Sequence, residues 1–280
     1  MKQHTEGGVL LRLLTALVLV TTVLVLIWTP ILRLPFTLFA AFLVAVGLHE
    51  YFGMIRALNV EAESTGGIVA GTAVVLAAYG PQPGVMALTL TAGLLAVMVL
   101  HLFRGKHSLA GLSASVLGVA YIGWFAAHFV ALHGFEGEGP GLVTFLLVAV
   151  VFSDTGAYFI GKGMGRHKLA PKVSPKKTWE GAVGGVLAAM LSVAVLYALR
   201  VALAWDTLPD WSLPAYVVIG AVLAVIGQVG DLVESMLKRD AGVKDAGGLF
   251  PGHGGVLDRC DSILFAGPAL YYIVWIGARF

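Results

Sequence analysis

Apolar residues run along this chain in long blocks rather than in short alternating stretches. Charges and turn residues divide them into nine segments, at roughly 9–29, 31–52, 66–80, 84–103, 109–131, 141–161, 182–204, 213–232 and 262–278. Leu13–Leu32 alone is 20 residues without a charge, close to the ~20 a helix needs to cross the hydrocarbon of a bilayer. Pro81-Gln82-Pro83-Gly84 is a turn signal inside an otherwise uncharged run. A single helix through it would far exceed bilayer thickness, so two shorter helices are predicted there. Period-two alternation is absent, which disfavours a β-barrel. The pattern predicts an all-α fold, a polytopic transmembrane helical bundle of about nine spans.

Composition sharpens that reading. Of the 280 residues, 58% are hydrophobic and 12% charged, against about 25% charged in soluble domains. Cys260 is the only cysteine, so an intrachain disulfide and a cysteine-rich metal site are both excluded. The apolar run after Lys2 has no small-residue cleavage site and is read as the first span, not a signal peptide. With nine spans, the N-terminus and the loops after even-numbered spans share a side. That side carries all of the 18 basic residues except Arg33, Arg200 and Arg279. The positive-inside rule then places the N-terminus in the cytoplasm and the C-terminus outside. Helical spans without organelle signals point to a cell inner membrane. The expected organisation is a set of N-terminal spans (1–140) and a C-terminal catalytic region (141–280) with cytoplasmic loops at 162–181 and 233–261. No feature suggests nucleic acid as a partner. The 36 glycines are compatible with a homodimer without establishing one.

The polar residues crowd into the second half. Asp154 lies inside the sixth segment, where a carboxylate costs a few kcal/mol unless it faces a bundle interior or a wet cavity; it either serves chemistry there or pairs with another helix. The following loop runs from Gly161-Lys162-Gly163 through Ser174-Pro175-Lys176-Lys177-Thr178-Trp179-Glu180-Gly181. Its glycines and lysines suit a phosphate-rich ligand, or equally the anionic heads of lipids. In the eighth segment Asp231 and Glu234 are three apart and share a helix face. Beyond them come Lys238-Arg239, Lys244-Asp245, Pro251-Gly252-His253-Gly254-Gly255 and Asp258-Arg259-Cys260-Asp261. Carboxylates without cysteines favour Mg²⁺, with Mn²⁺ as the alternative, over zinc. Asp231 and Asp258, from separate segments, meeting over one cation would make a metal site. Asp261, three residues on, would then cap or orient a neighbour. His253 suits a phosphate, a metal or a turn hydrogen bond, and Cys260 reads as packing.

These residues together resemble the signature of the phosphatidate cytidylyltransferases, also called CDP-diacylglycerol synthases. The resemblance is carried by Gly227-x2-Gly230-Asp231-Leu232-x-Glu234-Ser235 and by Ser235-x-Leu237-Lys238-Arg239-x4-Lys244-Asp245-x-Gly247-x2-Phe250-Pro251-x-His253-Gly254-Gly255-Val256-x-Asp258-Arg259-x-Asp261. Ser153–Tyr158 and Ser174–Gly181 extend it, so that it covers about residues 150–280. Cys260 stands where the family usually has a larger aliphatic residue, and Ala246-Gly247-Gly248 replaces a stretch often written Ser-Gly-His.

The resemblance implies the reaction CTP + phosphatidate → CDP-diacylglycerol + pyrophosphate, with Mg²⁺ and room for a second cation. It implies Asp231 and Asp258 as metal ligands. Lys176, Lys177, Lys238, Arg239 and Lys244 become charge donors to CTP or pyrophosphate, and Ser174, Thr178, His253 and Arg259 phosphate contacts. Asp154 and Glu234 become supporting or second-cation groups. The lipid phosphate is expected to attack directly, without a covalent enzyme intermediate. The rivals are a lipid kinase, a synthase for ether-linked lipids, and a transporter using Asp154 and Asp231 as relays. The crowding of polar groups near one face suits a site better than a path.

Overall fold

The structure is a computed structural model, and it describes residues 18, 20–80, 82–105, 108–249 and 254–277. The first predicted span, 9–29, falls partly outside them; residues 20–28 are helical (α1). There follow α2 (Arg33–Ala57), α3 (Ser64–Ala77), α4 (Pro83–Phe103), α5 (Leu109–Gly118), α6 (Phe125–His133) and α7 (Gly139–Met164). A two-stranded antiparallel hairpin, β1 (Lys168–Ala170) and β2 (Ser174–Thr178), precedes α8 (Trp179–Leu203), α9 (Leu213–Asp240) and α10 (Leu257–Gly277). Six π-helical residues, Val119–Trp124, join α5 and α6 into one 25-residue apolar rod, Leu109–His133.

Among the described residues, seven helices are long and apolar enough to cross a membrane. Helices satisfy their own backbone polar groups, which hydrocarbon requires. The protein is an all-α, polytopic membrane protein. The third predicted segment differs from the rest: α3 has 14 residues, about 21 Å at 1.5 Å per residue, short of a ~30 Å hydrocarbon core.

Both long loops are shorter than the sequence suggested. In the first, α7 runs on to Met164, the hairpin takes most of the remainder, and α8 begins at Trp179. In the second, α9 continues through its charged end to Asp240, so Glu234, Lys238 and Arg239 are helical rather than loop residues. The charges do not stop that helix because Lys238 pairs with Glu234 one turn back, at 2.6 Å. The break comes at Gly242, whose φ of +70° is the left-handed conformation glycine adopts most easily.

The chain divides into two compact units: residues 1–130 with 240–260, and residues 131–239 with 261–280. The first is built on α2, whose Leu48, Tyr51 and Phe52 are buried. Its polar groups find partners inside the bundle: the Tyr51 hydroxyl donates to the Ala114 carbonyl (2.9 Å), and the Glu63 N–H donates to Ser115 Oγ (2.7 Å). Glu63 also caps α3, accepting from the Gly66 N–H at 3.3 Å, and takes an ion pair from Arg104 at 2.5 Å. In the second unit α7 and α8 approach closely; a Cβ on Gly184 would lie 2.5 Å from Ile160. Phe145, Trp211 and Tyr216 pack edge to face, and the Tyr216 hydroxyl donates to the Pro209 carbonyl at 2.9 Å.

Candidate active site

Helix periodicity builds the acidic part of the site. Asp231, Glu234 and Lys238 follow one another along a single face of α9. Glu234 is fully buried and pairs with Lys238 Nζ at 2.6 Å. Asp231 pairs with Lys177 Nζ from β2, also at 2.6 Å, and accepts from Ser235 Oγ at 3.3 Å. Asp261, on α10, completes the group: one carboxylate oxygen from each of Asp231, Glu234 and Asp261 lies within 4.8 Å of the others. Gly230 permits this approach, since a Cβ there would lie 2.6 Å from the Asp261 carbonyl oxygen.

Three carboxylates this close repel one another by roughly 3 kcal/mol per pair at an effective dielectric of about 20. Lys177 and Lys238 each pair with one of the three carboxylates and offset part of that repulsion. Its donors are all oxygen, with no histidine or cysteine among them. That is the donor chemistry of a hard cation, so the acidic cluster could hold a metal.

A cavity of about 560 Å³ opens beside Asp231, within the size range of small-molecule sites. Asp154, Tyr158, Gln228 and four lysines, Lys162, Lys168, Lys176 and Lys177, line it. Lys162 Nζ lies over the Tyr158 ring, 5.6 Å from its centroid. The Gln228 amide donates to Ser153 Oγ (3.2 Å) and to the Ala182 carbonyl (3.1 Å), tying α9 to α7 and α8 behind the cavity.

Lys168, Lys176 and Lys177 are presented by the hairpin, Lys162 by the end of α7, and the hairpin is held by α8. The Glu180 carboxylate accepts from the backbone N–H groups of Arg166 (3.1 Å) and His167 (3.2 Å) and contacts His167 Nδ1 at 2.6 Å. Thr178 is the N-cap of α8, its hydroxyl accepting from the Gly181 N–H at 3.1 Å. Arg239 Nε donates to the Val173 carbonyl at 3.4 Å, at the hairpin turn.

The structure thus brings together Asp154, Lys176, Lys177, Thr178 and Asp231 around one cavity, with Glu234 and Lys238 adjoining Asp231. Thr178 shows its hydroxyl employed as a helix cap, and Ser174 opens β2 outside the residues lining the cavity. His253 lies outside the described residues. Lys244 is exposed in the loop before α10, and Arg259 is exposed on the first turn of α10. Asp258, expected as a metal ligand together with Asp231, belongs to the other compact unit. It accepts from the backbone N–H groups of Ala246 (2.9 Å) and Gly255 (2.8 Å). Asp261, expected only to cap or orient a neighbour, is in the acidic group, while Asp258 orders its own loop. Lys162, Lys168 and Gln228 were missed as site residues.

Comparison with known proteins agrees with the resemblance. The model of the cytidylyltransferase family matches residues 10–277. The chain is 36% identical over 262 residues to a phosphatidate cytidylyltransferase of Synechocystis sp., covering 84% of this chain and 86% of that protein. It is 38% identical over 189 residues to one from Bacillus subtilis, 68% of each chain. With one from Brucella suis it shares 42% identity over 154 residues, 55% of this chain and 54% of that one. Nearly the whole length matches the family model, helices and acidic group included, and the chain belongs to the cytidylyltransferase family.

Proposed function

We infer that this protein transfers the cytidylyl group of CTP to phosphatidate, giving CDP-diacylglycerol and pyrophosphate. The observation that carries the reading is the lysine-lined cavity opening on Asp231 and its acidic neighbours, in a membrane protein of this family.

The chemistry requires charge more than proton transfer. A phosphate monoester has a second pKa of about 6, so the lipid phosphate is mostly a dianion at neutral pH and needs no general base. One of its oxygens attacks the α-phosphorus of CTP. The new P–O bond forms as the α–β bridging bond breaks, and the electron pair leaves with pyrophosphate. Two anions must therefore be brought together in line, and negative charge must be accepted on the leaving group. Lys162, Lys168 and Lys176 supply that charge from the cavity wall. Lys177 holds Asp231 in place, and Lys238 holds Glu234.

A divalent cation, Mg²⁺ by its preference for carboxylate and phosphate oxygens, would be held by Asp231 and Asp261 with Glu234 beside them. When bound it would neutralise phosphate oxygens. Asp154 faces the same cavity and suits a second cation. Asp258 serves the loop through its two backbone hydrogen bonds. The excess of basic residues on one side supports a site on the cytoplasmic face of an inner membrane, where CTP is available.

The test is an assay of purified protein with phosphatidate, Mg²⁺ and α-labelled CTP, run in parallel with ATP and with EDTA. Labelled lipid formed only with CTP and Mg²⁺, with equimolar pyrophosphate, is the expected result. Label transferred from the γ-position of ATP instead would make the protein a lipid kinase.

A further inference from the structure

Gln228 lies on α9 one turn before Asp231, on the same face, and lines the same cavity. Its Nε2 donates to Ser153 Oγ at 3.2 Å and to the Ala182 carbonyl at 3.1 Å. An amide nitrogen has two hydrogens, and both are taken. A carbonyl oxygen only accepts, so the atom facing Ala182 has to be the nitrogen, and the amide cannot turn over. Gly185 of α8 makes the room: a Cβ there would lie 2.7 Å from Nε2. All of these residues belong to the second unit.

The amide oxygen is what remains for a ligand. No donor reaches Oε1 among the described residues, which leaves a neutral acceptor of fixed direction at the cavity. Phosphatidate, with its esters and ionised phosphate, offers acceptors only. CTP carries donors at the cytosine amino group and at the ribose hydroxyls. A hydroxyl rotates to suit either end of an amide, so locking the amide adds no selectivity toward it. The amino group has no such freedom. Uracil carries a carbonyl in its place, which would meet Oε1 lone pair to lone pair. A locked acceptor therefore separates the two pyrimidines, where an amide free to turn over would accept both.

We propose that Gln228 selects the base: its Oε1 accepts from the 4-amino group of cytosine, and the two Nε2 hydrogen bonds hold it in that sense against uracil. The proposal rests on the cytidylyl-transfer reaction assigned above. Gln228 touches no reacting atom. A site that hydrogen-bonds a substrate N–H rejects an analogue lacking it, because the site's own polar group is then left unpaired.

The experiment measures kcat/KM for CTP, dCTP, UTP and the triphosphate of pyrimidin-2-one riboside, which has hydrogen in place of the amino group. It uses the full chain, wild type and Q228M, with thermal melting in detergent. Wild type should use the analogue about tenfold less well than CTP, the scale of an acceptor left without its donor. UTP should be worse still, by about 100-fold. In Q228M the CTP value should fall about tenfold while the analogue stays within about twofold, so that the two become nearly equal. CTP and dCTP should fall together. A wild type that treats CTP and the analogue alike overturns the proposal without any variant. So does Q228M that keeps the preference for CTP over the analogue. A change confined to the ratio of CTP to dCTP would put the oxygen at the ribose, and an equal fall for every triphosphate would make Gln228 a packing residue; either overturns it. Should Q228M fail to fold, Q228N replaces it: the shorter amide withdraws its oxygen, and the ratio of CTP to analogue decides in the same way. A wild type that transfers nothing from CTP removes the assigned reaction itself, whereas an active wild type with an indifferent variant removes only the role of Gln228.

Discussion

Carboxylates are buried in both units of this molecule, but under opposite conditions. In the first unit Glu50 and Asp258 each accept two backbone N–H groups, and Glu63 has a backbone donor and an arginine. In the second unit Asp231, Glu234 and Asp261 face one another, with two lysines against three acids. Acids of the first kind shape the backbone, their charge met by N–H groups or an arginine. Those of the second kind crowd their oxygens together, a repulsion that a bound cation would offset. A buried acid is therefore informative about chemistry only after its partners are counted.

The largest effect should come from breaking the second set. Asp231→Asn removes a carboxylate of the acidic group and strands Lys177, and kcat should fall on the order of 10³-fold, the scale of losing a preorganised electrostatic group. The labelled-lipid assay reads it directly. Next is Lys177→Met, which leaves Asp231 without its counter-charge; about a 10²-fold loss is expected, with Lys177→Arg restoring part of it. The lysine's role is charge at a fixed place, and a variant as active as wild type would show that the ion pair is incidental.

The sequence made part of this contrast legible. Asp231 and Glu234 could be placed on one face because helix spacing settles it, and Lys177 stood out within a basic glycine-rich stretch. Asp154 announced itself as an acid inside an apolar run. The division between Asp258 and Asp261 was not legible: they sit three apart at a helix start, and their roles depend on where the helix begins. Thr178 read as a phosphate contact because a capping hydroxyl and a ligand hydroxyl look alike until the helix start is known. The hairpin Lys168–Thr178 was hidden because its strands are short and polar. Glu50 was hidden for another reason: its partners are backbone groups more than 200 residues away, which carry no side-chain signature.

Smaller effects sharpen the first set. Glu63→Gln weakens a cap and a half-exposed ion pair with Arg104, and should cost about 2 kcal/mol of stability while leaving turnover per folded molecule unchanged. Melting and activity measured on the same preparation test this, and a specific loss of turnover would move Glu63 into the second class. The least effect is expected from Asp210→Ala. Asp210 is 86% exposed and pairs with Arg200, so less than about 1 kcal/mol should be lost.

The central claim is that the acidic group, and not Asp258, binds the divalent cation. Mn²⁺ binding by purified protein, followed by electron paramagnetic resonance in wild type, Asp261→Asn and Asp258→Asn, tests it most directly. The account predicts that Asp261→Asn weakens Mn²⁺ binding at least tenfold, while Asp258→Asn binds it as wild type does. Retention by Asp261→Asn together with loss by Asp258→Asn would contradict the account and return the cation to Asp258.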